Sequence, residues 1–217
     1  MVVMNTLADI LRGVERGAFP PPDLGITVVR APSDRASCLL AFTAHIVIAA
    51  DVDAAWVAER LPPGDLCAPT NPPFLSALEA ATGRHVASLD AMLLAPALTD
   101  PAERTAATAG LSEVTGHQHS RVENALHTRD DVRVYVDEYG GFVLTGRGLA
   151  DRIECAIEVP ETARGQGHGR RLARAAQALI PANAQVWAQV TPGNAASMRT
   201  FLAAGYRPVG SEALLVK

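Results

Sequence analysis

Two groups of residues in the second half of the chain have the types and spacing that chemistry needs. The first is the run Arg164-Gly165-Gln166-Gly167-His168-Gly169-Arg170-Arg171, which follows an apolar stretch at 153–159 and opens a helical segment. A glycine-rich turn between a strand and a helix N-terminus can hold phosphate. Its backbone N–H groups point outward, no Cβ blocks close approach, and the helix dipole favours negative charge. It is not a P-loop, because no Lys-Ser or Lys-Thr follows the glycines. Nor is it the dinucleotide fingerprint: Gly165 and Gly167 fit, but Arg170 stands at the final position and no acidic residue closes a second strand. The spacing that remains is Arg-x-x-Gly-x-Gly, at Arg164, Gly167 and Gly169. The second group is Glu154 and Glu158. They alternate with Cys155 and Ile157, so a regular strand turns both carboxylates to one face. Such a pair can accept a proton directly or through water, and like charges raise one of the two pKa values. The competing reading is a solvated sheet face, or ion pairing with Arg147 and Arg152.

A further block stands downstream. A short apolar strand, Val186-Trp187-Ala188-Gln189-Val190, leads into Asn194-Ala195-Ala196-Ser197-Met198-Arg199-Thr200-Phe201-Leu202-Ala203-Ala204-Gly205-Tyr206. The Arg-x-x-Gly-x-Gly loop, followed at this distance by an Asn-x-x-Ser helix ending in Gly-Tyr, resembles the GCN5-related N-acetyltransferases, the GNAT superfamily. The resemblance covers residues 132–216.

The resemblance implies acetyl-CoA as cofactor and acetyl transfer to a primary amine of a small molecule or peptide. It assigns the cofactor to Arg164, Gly165, Gln166, Gly167, His168, Gly169 and Arg170 of the loop, to the backbone of Ile157 and Val159, and to Asn194, Ser197 and Phe201. Two positions depart from the family pattern. Phe201 stands where many members carry a Tyr as acid for the leaving thiolate, and Gln189 where some carry a Glu base. Neither side chain exchanges a proton at neutral pH. That leaves Glu154 and Glu158 as candidate bases and Tyr206 as a fallback acid. The alternative function is a non-catalytic acyl-CoA-binding sensor or regulatory protein on the same fold. Pro160 directly after Val159 is a further departure, in the segment where members of the family carry a bulge.

The elements that must position these groups are legible in part. After the loop, Leu172, Ala176 and Leu179 recur at i, i+4 and i+7, one apolar stripe, and Pro181 ends the helix. In the next helix Asn194 suits the N-cap, Met198, Phe201 and Leu202 the buried face, and Gly205 the C′ position. Upstream, segments 132–136 and 141–145 read as a hairpin turning at Tyr139-Gly140, and Val122 and Leu126 as one face of a helix ending near Asp130. His117 and His119 read as a polar helix start rather than a metal pair, since two residues apart on a helix they face different ways. No metal site is expected.

In the first half, Leu7, Ile10, Leu11 and Val14 form a helical stripe capped by Asn5 or Thr6. Segments 26–30 and 38–49 read as strands. Asp53 is a candidate cap for a short helix, residues 62–73 a Pro-rich loop, 74–81 a helix ending at Gly83, and 86–94 a strand. The break at 96–101 divides the chain into an N-terminal α/β lobe, 1–96, and an acetyl-CoA-binding catalytic domain, 97–217. Strand 86–94 is the candidate opening strand of the core, and the lobe is weighed as a degenerate GNAT-like half because Phe74-Leu75-Ser76-Ala77 echoes Phe201-Leu202-Ala203-Ala204. The expected fold class is α+β, a mixed but mostly antiparallel twisted sheet flanked by helices, with the additional N-terminal lobe.

Composition bounds the function classes. The chain has 217 residues, 48% apolar and 19% charged, with a net charge of −4 and 5% aromatics. It is long enough to bury a real core, and an acidic, aromatic-poor chain is not expected to bind nucleic acid. Three cysteines, Cys38, Cys67 and Cys155, without a C-x-x-C, point to a reducing compartment. The longest apolar run is shorter than the roughly 20 residues that span a bilayer, and no basic region precedes an apolar core at the N-terminus. A cytoplasmic protein without membrane attachment is expected, with a homodimer as one arrangement.

Overall fold

The computed structural model of the protein describes residues 6–217. The chain forms two compact units, one built from residues up to Met92 together with Val209–Lys217, the other from Leu93–Pro208. The sequence break at 96–101 lies a few residues beyond this division, and the last nine residues group with the first unit rather than with the second.

The first unit begins with α1 (Leu7–Glu15), whose N-cap is Thr6; its hydroxyl oxygen accepts from Asp9 N at 3.2 Å. Asn5, the other cap candidate, lies outside the described residues. Leu7, Ile10, Leu11 and Val14 are all buried, as the stripe requires. Then come β1 (Gly25–Val29), β2 (Ala36–Phe42), β3 (His45–Ala49), α2 (Ala54–Ala58), α3 (Pro72–Thr82) and β4 (His85–Pro96). The segment read as one strand, 38–49, is a hairpin of β2 and β3, turning through Ala44 at a φ of 51°. No Gly, Asn or Pro marks that turn, so local signals did not show it. Asp53 occupies the N-cap of α2 without a side-chain capping bond. Pro72 and Pro73 are the first residues of α3 rather than loop, where their fixed φ suits the helix and the missing N–H costs nothing. Buried His45 is hydrogen-bonded at both ring nitrogens, to Asp23 Oδ1 at 2.8 Å and Thr27 Oγ1 at 2.9 Å, which ties β3 to β1 and the turn before it. Leu39, Ile46, Ile48, Phe74 and Leu78 pack into this unit's core.

The second unit takes the end of β4 and continues with α4 (Pro101–Thr108), β5 (Ser112–Val114), α5 (Ser120–Thr128), β6 (Asp130–Val136), β7 (Phe142–Arg147), β8 (Ile153–Glu158), α6 (His168–Leu179), β9 (Gln185–Val190) and α7 (Ala195–Ala203), before β10 (Arg207–Val216) returns to the first unit. The strand order is β1-β3-β2-β10 in the first unit and β4-β9-β8-β7-β6-β5 in the second. The pairs β2–β3, β2–β10, β5–β6, β6–β7 and β7–β8 are antiparallel and β1–β3 and β8–β9 parallel, the mixed, mostly antiparallel pairing with flanking helices that was expected. Strand β4 lies beside β9, and the strand next to the β6–β7 hairpin is β5, three residues that carry no strand signal of their own.

Strand β8 separates two packing layers. Cys155, Ile157 and Val159 join the cluster around Leu172, Ala176 and Phe201, on the α6 and α7 side. Ala156 joins Val122, Ala125, Val134 and Phe142, on the α5 side. Leu202 on α7, read as buried, is 42% exposed, and Leu126 on α5 is 60% exposed while Val122 of the same helix is buried. Each helix contacts the sheet along a narrower stripe than its apolar residues suggest.

Candidate acyl-transfer site

The loop between β8 and α6 adopts the backbone its glycines predict. Gly165 and Gly167 have φ of 78° and 86°, the left-handed region that other residues enter at a cost. Gly167 is the N-cap of α6 and makes no side-chain capping bond, so the first-turn N–H groups, which have no intrahelical acceptor, open outward. A Cβ added at Gly165 or Gly167 would meet nothing within 4 Å, which leaves the approach unobstructed. Gly169 answers a different need: its Cβ would lie 3.1 Å from Thr200 Cγ2 and 3.6 Å from Val159 Cγ2, so this glycine lets α6 approach α7.

The side chains of the loop divide into tied and open. Arg164 Nε donates to the Val159 carbonyl at 3.2 Å, and Gln166 Nε2 to the Thr162 carbonyl at 3.4 Å. His168, the first residue of α6, packs on Tyr139 with ring centres 4.3 Å apart and ring planes tilted by 46°. Arg171 pairs with buried Asp137 at 2.9 Å and Arg174 with Glu103 at 3.5 Å. Arg170 is exposed and forms no ion pair among the described residues. Uncapped N–H donors, two left-handed glycines and the exposed Arg164 and Arg170 fit a diphosphate.

Strands β8 and β9 pair at Glu154–Trp187 and Cys155–Ala188 only. Beyond that point β8 runs on to Glu158 and β9 to Val190 without further ladder partners between them. The stretch holding Ile157 and Val159 therefore leaves the ladder on its β9 side, just before the loop. Pro160 starts a short 3-10 turn, Glu161–Ala163, and does not disturb the pairing of Glu158 with Phe142 on β7.

The two carboxylates do share a face, but their environments differ. Glu154 is buried between two arginines: Arg152 Nε donates to Oε1 at 2.7 Å, and Arg129 Nε to Oε2 at 2.7 Å. Leu149 N adds a bond at 3.3 Å, and a Cβ at Gly148 would collide with the Glu154 carboxyl group. Burial alone would raise its pKa; Arg152 and then Arg129 outweigh burial and bring it down to about 2. Glu154 is therefore not a carboxylate raised by its neighbour but an anchored structural anion rather than a base. Of the expected ion pairs, Arg152 is present, while Arg147 instead faces Asp131 and Asp151 at 3.4 Å.

Glu158 is different. Its side chain is 25% exposed, Arg121 Nε lies 3.1 Å from Oε2, and Arg164 lies 3.7 Å from Oε1. It borders a cleft of about 360 Å³ between α5 and β8, lined also by Ser120, Asn124, Thr128, Arg129 and Ala156. Arg121 and Ala125 lie one turn apart on α5, and Arg129 follows as its C-cap, so each end of the helix brings an arginine to a carboxylate of β8. His117 and His119 both present their ring edges to Phe142 at 5.0 Å, and His119 caps α5 by accepting from Arg121 N at 3.1 Å. They precede the helix rather than lie in its first turn, and they face the same ring rather than diverging.

On the other side, Asn194 caps α7, its side chain accepting from Ser197 N at 3.0 Å, while Ser197 is half-buried. Phe201 is buried, with Tyr206 edge-on at 4.8 Å. The Tyr206 hydroxyl donates to the Ala173 carbonyl at 3.1 Å, with Cys155 Sγ at 3.5 Å. Burial raises its pKa well above the usual value, and burial pushes the Cys155 thiol up to about 11. Tyr206 is a core residue and not a reachable acid, which corrects the fallback assignment. Cys38 is buried and Cys67 is exposed. No helix among the described residues is long and apolar enough to cross a membrane.

No protein-family profile and no curated sequence matches the chain. Among solved structures it is similar to a GCN5-related N-acetyltransferase from Kribbella flavida, at 17% identity and a TM-score of 0.37, over 67% of this chain and 64% of that one. It is also similar to a putative GNAT-family acetyltransferase from Novosphingobium aromaticivorans, at 18% identity and a TM-score of 0.38, over 62% of this chain and 68% of that one. A third similar structure is a tandem GNAT protein from the clavulanic acid biosynthesis pathway, at 17% identity and a TM-score of 0.37, covering 68% of this chain and 59% of that one.

Proposed function

We propose that the protein is an acetyl-CoA-dependent N-acetyltransferase that moves an acetyl group directly to a primary amine of a small molecule or peptide. The observation that supports this most is the end of the β8–β9 ladder at Cys155–Ala188, directly before an uncapped, glycine-rich helix start. Arg164, Arg170 and the backbone from Gly165 to Gly169 hold the diphosphate. The backbone at Ile157 and Val159, off the ladder, bonds the pantetheine arm, and Asn194 and Ser197 at the start of α7 flank it, whereas Phe201 is buried against Tyr206. When bound, acetyl-CoA supplies the activated carbonyl and a thiolate leaving group. Glu158 takes the proton of the attacking amine from the cleft, with Arg121 and Arg164 fixing its carboxylate. With Tyr206 buried, no side-chain acid among the described residues serves the thiolate. A thiol pKa near 8.5 lets it leave without one.

Two observations favour a second reading, a non-catalytic acyl-CoA sensor: Glu154 is locked by arginines and Tyr206 by the core. Titration with acetyl-CoA, followed by thiol release against a panel of amines, separates the two. Binding with release on some amine supports the transferase. Binding without release on any amine favours the sensor, and absence of binding removes both.

A further inference from the structure

Gln189 presents an unusual atom. Its Nε2 is buried and has no hydrogen-bond partner among the described residues. A buried donor left unpaired is costly, and such groups in native proteins call for a reason. Its position supplies one. Val186, Ala188 and Val190 pack into the α6-side cluster, so Gln189 and Trp187 occupy the opposite face of β9. The parallel register pairs Trp187 with Glu154 and Ala188 with Cys155, so Gln189 is the first residue past the last rung. Its counterpart on β8 is Ala156, a small residue that lines the cleft beside Glu158. The orphaned donor thus stands where the strands part, on the face that carries Glu158.

From this we infer that Gln189 is a catalytic residue whose Nε2–H donates to the acyl carbonyl oxygen and stabilises the charge that oxygen gains during transfer. The inference rests on the transferase reading. As the amine nitrogen bonds to the carbonyl carbon and the carbon–sulfur bond breaks, the amine proton passes to Glu158 and the electron pair leaves on the thiolate. Gln189 exchanges no proton. It supplies a fixed dipole, the kind of donor whose loss costs about 100- to 1,000-fold in kcat. This also accounts for an amide at a position that cannot serve as a base.

The test uses Gln189→Met, which keeps the shape and removes the donor, with Gln189→Leu as a second variant if the first fails to fold. Three quantities are read: kcat and KM for thiol release, the ratio of Kd for CoA to Kd for acetyl-CoA, and Tm. The expected result is a kcat lower by about 100-fold with the amine KM within about twofold. The wild-type preference for acetyl-CoA over CoA should vanish, and Tm should hold or rise because an unpaired buried donor is gone. Unchanged kcat together with an unchanged ratio overturns the role of Gln189 and leaves the transferase reading standing. If wild type releases no thiol on any amine, that reading fails. The ratio then decides alone: a preference for acetyl-CoA that Gln189→Met removes sustains the contact, and a ratio of one in wild type, or no binding of either, overturns it.

Discussion

Glu154 and Glu158 leave the same face of β8 four residues apart, yet two arginines enclose Glu154, while Glu158 borders an open cleft. Pattern alone makes them equivalent. Their surroundings give one a structural role and leave the other for chemistry, and substitution should separate them. Glu154→Gln strands Arg129 and Arg152 in the interior and should cost about 3–5 kcal/mol of stability. Glu158→Gln removes half-exposed ion pairs worth about 1 kcal/mol or less. It should nevertheless lower turnover by about 100-fold, as loss of a general base does. Thermal unfolding and thiol release measured on both variants check this. A Glu158→Gln enzyme at wild-type rate would clear Glu158 of the base role.

The acid limb of stability should carry the mark of Glu154. Its folded pKa of about 2 lies below the ordinary 4.5, so the ionised form is favoured by folding. A depressed carboxylate stabilises fully above its unfolded pKa. That contribution shrinks as pH falls below 4.5 and is gone once pH drops under about 2. At about 1.36 kcal/mol per pH unit, the difference corresponds to about 3 kcal/mol. Carboxyl-carbon NMR of the folded protein should show Glu154 still ionised at pH 3, and urea unfolding should show stability declining between pH 5 and pH 3. A Glu154 midpoint near 4.5 would contradict the buried ion-pair assignment.

What could be read from the sequence was local. The left-handed φ of Gly167 and Gly205, the Asn194 cap and the Leu172-Ala176 stripe depend on residues within a turn of one another. The fate of Glu154 depends on Arg129, 25 positions away, and the fate of Tyr206 on Cys155, 51 positions away. Periodicity placed Glu154 on a face correctly and had no means of saying what that face meets. The β2–β3 hairpin went unread for the opposite reason: Ala44 adopts a positive φ without any residue that advertises it. Strand β5 is three residues long and exists only through its pairing with β6.

The phosphate reading of the loop makes a sharper demand on Gly167 than on Gly169. Gly167→Glu places bulk and negative charge at the uncapped start of α6, where open space now admits a ligand. Acetyl-CoA affinity should fall by at least about 100-fold, while the left-handed φ costs about 1–2 kcal/mol of stability. Gly169→Ala drives its Cβ toward Thr200 at 3.1 Å and should show the opposite balance, a lower Tm with a smaller loss of affinity. Calorimetric titration beside thermal unfolding separates the two effects. Full binding by Gly167→Glu would mean that the loop holds no diphosphate.

Tyr206 offers the last check on where the proton comes from. Its hydroxyl is buried against the Ala173 carbonyl and the Cys155 thiol, and burial raises its pKa well above the usual tyrosine value. A proton held there has no route to a leaving thiolate. Tyr206→Phe removes one buried hydrogen bond and leaves the Ala173 carbonyl without that donor, a loss of about 1 kcal/mol or somewhat more. The ring still packs edge-on against Phe201, so the core keeps its shape. Turnover should stay within about twofold of wild type, with an unchanged pH profile, because the reaction uses no acid at this position. A fall of about 100-fold, with the alkaline limb of the profile displaced, would return Tyr206 to the reaction and require the core to open around it during turnover.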